Sequence, residues 1–301
     1  MSLIPKQSPV WLSPTAVGVL CGIGSALCWA IGLVAARHGI AIGLAPVDIA
    51  LHRFVWAGLI LTPLVLRSGL WDLGGIGWRR AIIATFFGGP FQAVLSYTGF
   101  ITAPLGHGAV IQPAASALSG LILAALLVNE RLSGARLIGA LIIVAGLTIF
   151  GAEAITVIGA HGLIGDLSFA VAGVSFGIFA AQLRRWNISG PRAAVVVGFV
   201  SLLIYAPIHG IVFGYQRIIA AGLWENVLQV LVQGVLTGSL TIYMFARAVT
   251  LIGAGRAATF SALVPGFAMV IGYLVLGETP SVAQLSGLAV VLVGFRFVLK
   301  R

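Results

Sequence analysis

Apolar runs of helix length recur along this chain, at about 15–36, 46–66, 79–102, 107–128, 134–152, 163–183, 192–213, 226–248, 255–276 and 282–299. Each is close to the roughly 20 residues that a helix needs to cross a bilayer. In lipid the backbone must satisfy its own N–H and C=O groups, so such runs become helices. The breaks between them carry turn and charge signals: GLAP, RSGLWDLGGIGWRR, APLG, NERLSG, RRWNISGPR, GYQR, LIGAGR and GETPS. The fifth run and the PLGHG break are short, which leaves a count of nine open beside ten. Composition removes the soluble alternative. The chain is 60% hydrophobic and only 8% charged, where a soluble domain carries roughly 25% charged residues. Its 40 glycines suit close helix packing in a membrane.

The net charge of +10 does not point to nucleic acid, because the basic residues are scattered in ones and twos beside apolar runs. They fit a positive-inside bias instead. With a cytoplasmic N-terminus and ten crossings, the inside receives Lys6, Arg67, Arg79, Arg80, Arg131, Arg136, Arg184, Arg185, Arg192, Arg247, Arg256, Arg296, Lys300 and Arg301. The outside receives Arg37 and Arg217, while Asp48, Glu153, Asp166, Glu225 and Glu278 sit at or near the outer side. Ten spans with both termini cytoplasmic produce such a bias, and a miscount by one helix destroys it. The N-terminal segment has a lysine and three prolines before a run too long for a signal-peptide core, so no cleavage is expected. Cys21 and Cys28 lie two helical turns apart, too far for a disulfide, and read as small core residues.

The sequence also repeats itself. At a shift of 148, NERLSGARLIGALIIVAG lies on GETPSVAQLSGLAVVLVG, matching Glu130 with Glu278, Ser133 with Ser281, Gly139 with Gly287 and Gly146 with Gly294. At a shift of 147, Gly18 matches Gly165, Ile31 matches Ile178, Arg37 matches Arg184 and Gly106 matches Gly253. A repeat of five spans makes the two halves, 1–152 and 153–301, enter the membrane from opposite sides. Inverted repeats of this kind give secondary transporters two related conformations around a site near the midplane.

Two five-helix halves, an Asn-Glu or Gly-Glu pair ending the fourth helix of each, and a following L-x-G-x6-G helix resemble the drug/metabolite transporter superfamily, in particular its EamA-type members. The pattern reads LLVNERLSGARLIGALIIVAG and LVLGETPSVAQLSGLAVVLVG. Pro265 precedes Glu278 by thirteen residues as in that family, whereas the first half has Ala117 at that position and its proline, Pro113, one turn earlier. The resemblance implies an exporter of amino acids or similar small metabolites across the bacterial inner membrane. It also implies an all-α fold of ten transmembrane helices.

Polar residues in spans generally face the bundle interior or a cavity. Asn226, Gln229, Gln233, Thr237 and Thr241 share one face of the eighth span. Thr85, Gln92 and Ser96 share one face of the third, beside Tyr97. Gln112, Ser116 and Ser119 lie on the fourth, and Trp29 interrupts a small-residue groove on the first, with Phe176 at the matching position of the sixth. A substrate cavity lined by Trp29, Gln92, Ser96, Tyr97, Gln112, Ser116, Phe176, Gln233, Thr237 and Tyr243 suits a zwitterionic or moderately apolar solute. Amides bond both ammonium and carboxylate, and an aromatic face holds a cation. The other reading of the Ser, Thr and Gly positions is helix packing. Arg53, within the second span, is either a carboxylate contact or a snorkelling side chain that reaches headgroups or Asp48. Glu130 and Glu278 fit structural roles, bonding free N–H groups of the following helix, or a coupling role.

Other classes find less support. There is no G-x-x-x-x-G-K-[ST] for a nucleotide-driven pump and no H-E-x-x-H for a zinc peptidase. No cofactor or metal is expected. His38, His52, His107, His161 and His209 lie mostly towards span ends, and the sequence gives none an evident partner for intramembrane catalysis. A channel for small polar solutes remains the alternative. The expected partners are a small-molecule substrate and the lipid bilayer; the oligomeric state is open, and a monomer fits.

Overall fold

The computed structural model describes residues 13–128, 133–253, 256–257 and 260–298. Glu130 lies outside the described residues, as do Lys6, Arg131, Lys300 and Arg301. The described residues form helices joined by short turns, and no strand occurs among them. The helices are α1 (Pro14–Ala41), α2 (Pro46–Ser68), α3 (Trp78–Gly88), α4 (Pro90–Thr102), α5 (Leu105–Val128), α6 (Gly134–Glu153) and α7 (Ala160–Arg185). Then follow α8 (Gly190–Val212), α9 (Gln216–Ala221), α10 (Leu223–Gln229), α11 (Thr241–Ile252), α12 (Val264–Leu276) and α13 (Val282–Val298). Among the described residues, six stretches suffice by length and composition to cross a membrane: Pro14–Ala41, Pro46–Ser68, Gly134–Ile158, His161–Arg185, Gly190–Val212 and Leu223–Ile252. Phe260–Leu276 and Val282–Phe297 are shorter apolar helices.

Local chemistry sets the boundaries. Ser13 caps α1, accepting the Ala16 N–H at 3.2 Å, and Pro14 fills the first turn, where its missing N–H costs nothing. The repeat-matched serines explain themselves as caps: Ser133 Oγ accepts the Arg136 N–H and Ser281 Oγ accepts the Gln284 N–H, starting α6 and α13.

Three expected single spans are interrupted. The run 79–102 splits at Gly89, whose backbone (φ −110°, ψ −142°) leaves the helical region, and Pro90 opens α4 with no N–H to continue the ladder. The eighth span changes winding at Val230–Leu240, a π-helical stretch between α10 and α11. There the hydroxyls of Thr237, Ser239 and Thr241 each donate to the carbonyl five residues back, matching the wider turn. The ninth begins with a 3₁₀ turn, Phe260–Leu263, before Pro265 sits in the first turn of α12. Pro113, by contrast, lies inside the continuous helix α5.

Packing runs between the halves rather than within them. α6 lies along α13, α5 and α4 along α7, α2 along α8, and α1 along α11, α12 and the π stretch. Small residues bring these helices close. A Cβ on Gly146 would stand 2.6 Å from Val291 Cγ2, and one on Gly294 2.6 Å from Ile143 Cγ1. The two contacts are reciprocal across the α6–α13 pair, as small residues at membrane helix crossings require.

Candidate functional site

A cavity of about 350 Å³ opens where helices of both halves converge. Ser25, Ala26 and Trp29 come from α1, Arg53, Phe54 and Ala57 from α2, Phe176 and Phe179 from α7, and Pro191 and Val197 from α8. The π stretch and α11 add Thr237, Thr241 and Phe245. The walls are chiefly aromatic and aliphatic. Their hydroxyl protons are committed, since Ser25 donates to Gly22 O, Thr237 to Val232 O and Thr241 to Leu236 O. Arg53 is the one charged residue of the lining among the described residues. Its Nη1 donates to the Tyr97 hydroxyl at 3.2 Å, and its guanidinium carbon lies 5.8 Å from the Phe54 ring centroid. Tyr97 in turn donates to Gln233 Oε1 at 3.2 Å, and Gln233 Nε2 donates to the Gly32 carbonyl at 2.8 Å.

The polar stripe of the eighth span therefore does something specific. Gln229 and Gln233 donate to the carbonyls of Ala35 and Gly32, and the Thr237 hydroxyl, whose proton goes chiefly to Val232 O, lies 3.4 Å from the Cys28 carbonyl, stepping down α1. All three side chains are buried. These bonds hold two helices together through second lone pairs of carbonyls already used within α1.

The expected site residues fall into three groups. Trp29, Phe176, Thr237 and Arg53 line the cavity. Tyr97 and Gln233 stand behind Arg53, buried. Gln92 and Ser96 are buried on α4, Ser96 donating to Gln112 Oε1 of α5, and Ser116 is half-buried on α5; none of these four belongs to the lining. Tyr243 is 66% exposed on the outer face of α11 and is likewise outside the lining. Phe54, Phe179 and Phe245 were not singled out in the sequence, where an apolar residue of a span carries no mark of facing a cavity rather than a neighbour.

At the end of the bundle where α1 stops and α2, α5 and α7 start, the charges pair. Arg37 Nε bonds Glu278 Oε1 at 2.7 Å and its Nη1 reaches the Phe100 carbonyl at 2.6 Å. Glu278 Oε2 accepts the Leu105 N–H at 2.9 Å, so it caps α5, not the following helix. Asp48 takes Arg217 Nε at 2.7 Å and lies 2.9 Å from His209 Nε2; its Oδ2 also accepts the Ala45 N–H at 2.9 Å. It is thus fully engaged and does not meet Arg53. The Asp48 contact raises the Arg217 guanidinium above its ordinary range, through the hydrogen bond first and charge second. His107 Nδ1 lies 2.7 Å from Asp166 Oδ1, with Glu153 held by Gln284 at 3.1 Å on its other side. His38 sits 3.3 Å from Glu225, and His52 3.1 Å from Asn226. Four of the five histidines thus have partners that the sequence does not reveal, because each partner comes from a distant segment.

A larger cleft, about 610 Å³, lies by the 68–76 turn and Arg192, at span ends rather than between spans.

The match to the EamA-like transporter family covers residues 16–152 and again 163–300, and the chain belongs to that family. It is a multi-pass membrane transporter of the drug/metabolite transporter type. No curated protein matches it. A solved crystal structure superposes with a TM-score of 0.63 at 19% identity, covering 93% of this chain and 95% of its own; at that identity it shows the fold alone.

Proposed function

We propose that the chain is a secondary transporter, working as an exporter of amino acids or similar small metabolites in a bacterial inner membrane. It has ten spans in two inverted five-helix repeats, 1–152 and 153–301, with both termini cytoplasmic. The observation that carries this reading is the cavity itself. Trp29 and Phe176, one from each half and related by the 147-residue shift, line the same space. The packing of α1 with the eighth and ninth spans has its counterpart in that of α7 with α4 and α5, which an inverted repeat requires.

The cavity reaches from mid-span towards the end where α8 and α12 begin. The opposite end is held by Arg37–Glu278, Asp48–Arg217 and the His107 cluster. With the basic residues inside, this is a conformer open to the cytoplasm. Alternating access requires the paired end to part while the cavity mouth closes, and no nucleotide drives it.

Two measurements test the reading. In sealed proteoliposomes, counterflow of a broad panel of labelled amino acids and carboxylic metabolites should appear without ATP; silence across the panel removes the transporter assignment. Reporter fusions within 154–162 should report periplasm, and fusions after Val298 cytoplasm; the reverse removes the ten-span topology.

A further inference from the structure

Among the described residues Arg53 is the only charge facing the cavity, and the surrounding chemistry says what it is for. A guanidinium has five N–H donors. One of Arg53's is used on Tyr97, and no acid contacts it among the described residues. Arg53 is half-buried in this open conformer, and a cation among apolar walls becomes costly when the space closes on it without a counter-charge. Asp48, one turn away on the same helix, is consumed by Arg217 and His209, so it cannot serve. We propose that the counter-charge is the solute: the site takes organic anions with one carboxylate and a bulky apolar body, in preference to the corresponding zwitterionic amino acids. This rests on the transporter reading and narrows its substrate class.

The body is read from Trp29, Phe54, Phe176, Phe179 and Phe245, and the roughly 350 Å³ suits a ring with a short chain. The carboxylate is read from the unused donors of Arg53, whose planar fork matches it bidentately. The absence of an ammonium is read from the missing acid. Among the described residues no carboxylate lines the space, the acceptors there are neutral hydroxyl oxygens, and the guanidinium repels a second cation in a medium of low polarity. Tyr97 and Gln233 are positioning residues. The chain Gly32 O, Gln233, Tyr97, Arg53 ties the guanidinium to the backbone of α1 and fixes its angle.

A matched series tests this on purified, full-length protein in nanodiscs: 3-phenylpropionate, phenylalanine and phenethylamine share one apolar body and differ only in charge. Calorimetry reads binding. The expected order is 3-phenylpropionate tighter than phenylalanine by about tenfold or more, the size of one charged contact, with phenethylamine weakest. Arg53→Gln should erase the order, and Tyr97→Phe should weaken 3-phenylpropionate by about threefold to tenfold while leaving the order intact. Phenylalanine binding as tightly as 3-phenylpropionate overturns the proposal, as does an order that survives Arg53→Gln. The wild-type comparison stands alone if that variant fails to fold. If none of the three binds while the wider panel shows counterflow of another solute, the carboxylate assignment falls and the transporter reading stands.

Discussion

The two ends of the same bundle treat charge in opposite ways. Where α1 stops and α2, α5 and α7 start, Asp48, Glu153, Asp166, Glu225 and Glu278 each meet a partner from another helix or turn. In the cavity, Arg53 meets a phenol and an aromatic ring but no acid among the described residues. Paired charges close a space and resist opening; an unpaired one offers itself to what enters. The difference separates what holds the protein in one conformation from what selects its solute.

The largest expected effect comes from breaking the closed end at its most buried point. Asp48 is fully buried and anchors Arg217 and His209. Asp48→Asn should destabilise the protein by about 3 kcal/mol, the lower end for a buried pair, because Arg217 can turn partly to solvent. Thermal unfolding in detergent measures it, and an unchanged midpoint would mean that this network does not bear on folding.

Next in size is reversal at the open site. Arg53→Glu puts an acid against the same aromatic walls. Transport of 3-phenylpropionate should fall by about a hundredfold, as for the loss of a desolvated charge pair, with folding preserved. Retained carboxylate transport would remove Arg53 from the solute's path.

A smaller effect separates closure from binding. Glu278→Gln keeps the side chain's shape and removes its charge, loosening Arg37 and the α5 cap. The outward-open population should rise about tenfold. An impermeant thiol reagent reads this at Ala26→Cys in the cavity, in a background lacking Cys21 and Cys28. Labelling from outside should speed up, while the affinity measured from inside falls only as that population shift demands. Labelling that does not change would show that closure rests on other contacts.

These contrasts also mark what the sequence could say. The all-helical, membrane-spanning character and the repeat were legible because they are written in long apolar runs and in shared shifts, and Ser133 and Ser281, matched by the repeat, share one role as caps. The break at Gly88-Gly89-Pro90 was written in the sequence too, in a dipeptide and a proline that an apolar run conceals. The polar stripe on the eighth span was found, but period alone cannot say whether an amide faces a solute or a neighbouring carbonyl. Gln229 and Gln233 face carbonyls of α1. The histidine partners were illegible because they depend on contacts between distant segments, such as His107 with Asp166 and His209 with Asp48.

The smallest effect tests where the cavity ends. Tyr243 belongs with the polar and aromatic residues that the sequence gathers around the site, yet its side chain is 66% exposed, while its neighbours Ile242 and Phe245 line the cavity. On a helix each residue turns about 100°, so Ile242 and Phe245, three apart, can share the inward face while Tyr243 between them points away. An outward tyrosine on a span meets lipid or headgroups, where its loss removes little that the fold or a solute needs. Tyr243→Ala should therefore leave the transport rate within about twofold of normal, since exposed substitutions seldom change stability by more than about 0.5 kcal/mol. Phe245→Ala, two residues on, removes a wall and should lower affinity for an aromatic carboxylate by about tenfold, the scale of a lost ring contact. If Tyr243→Ala harms transport as much as Phe245→Ala does, the solute contacts the outer face of α11, and the boundary of the cavity has been drawn on the wrong side of that helix.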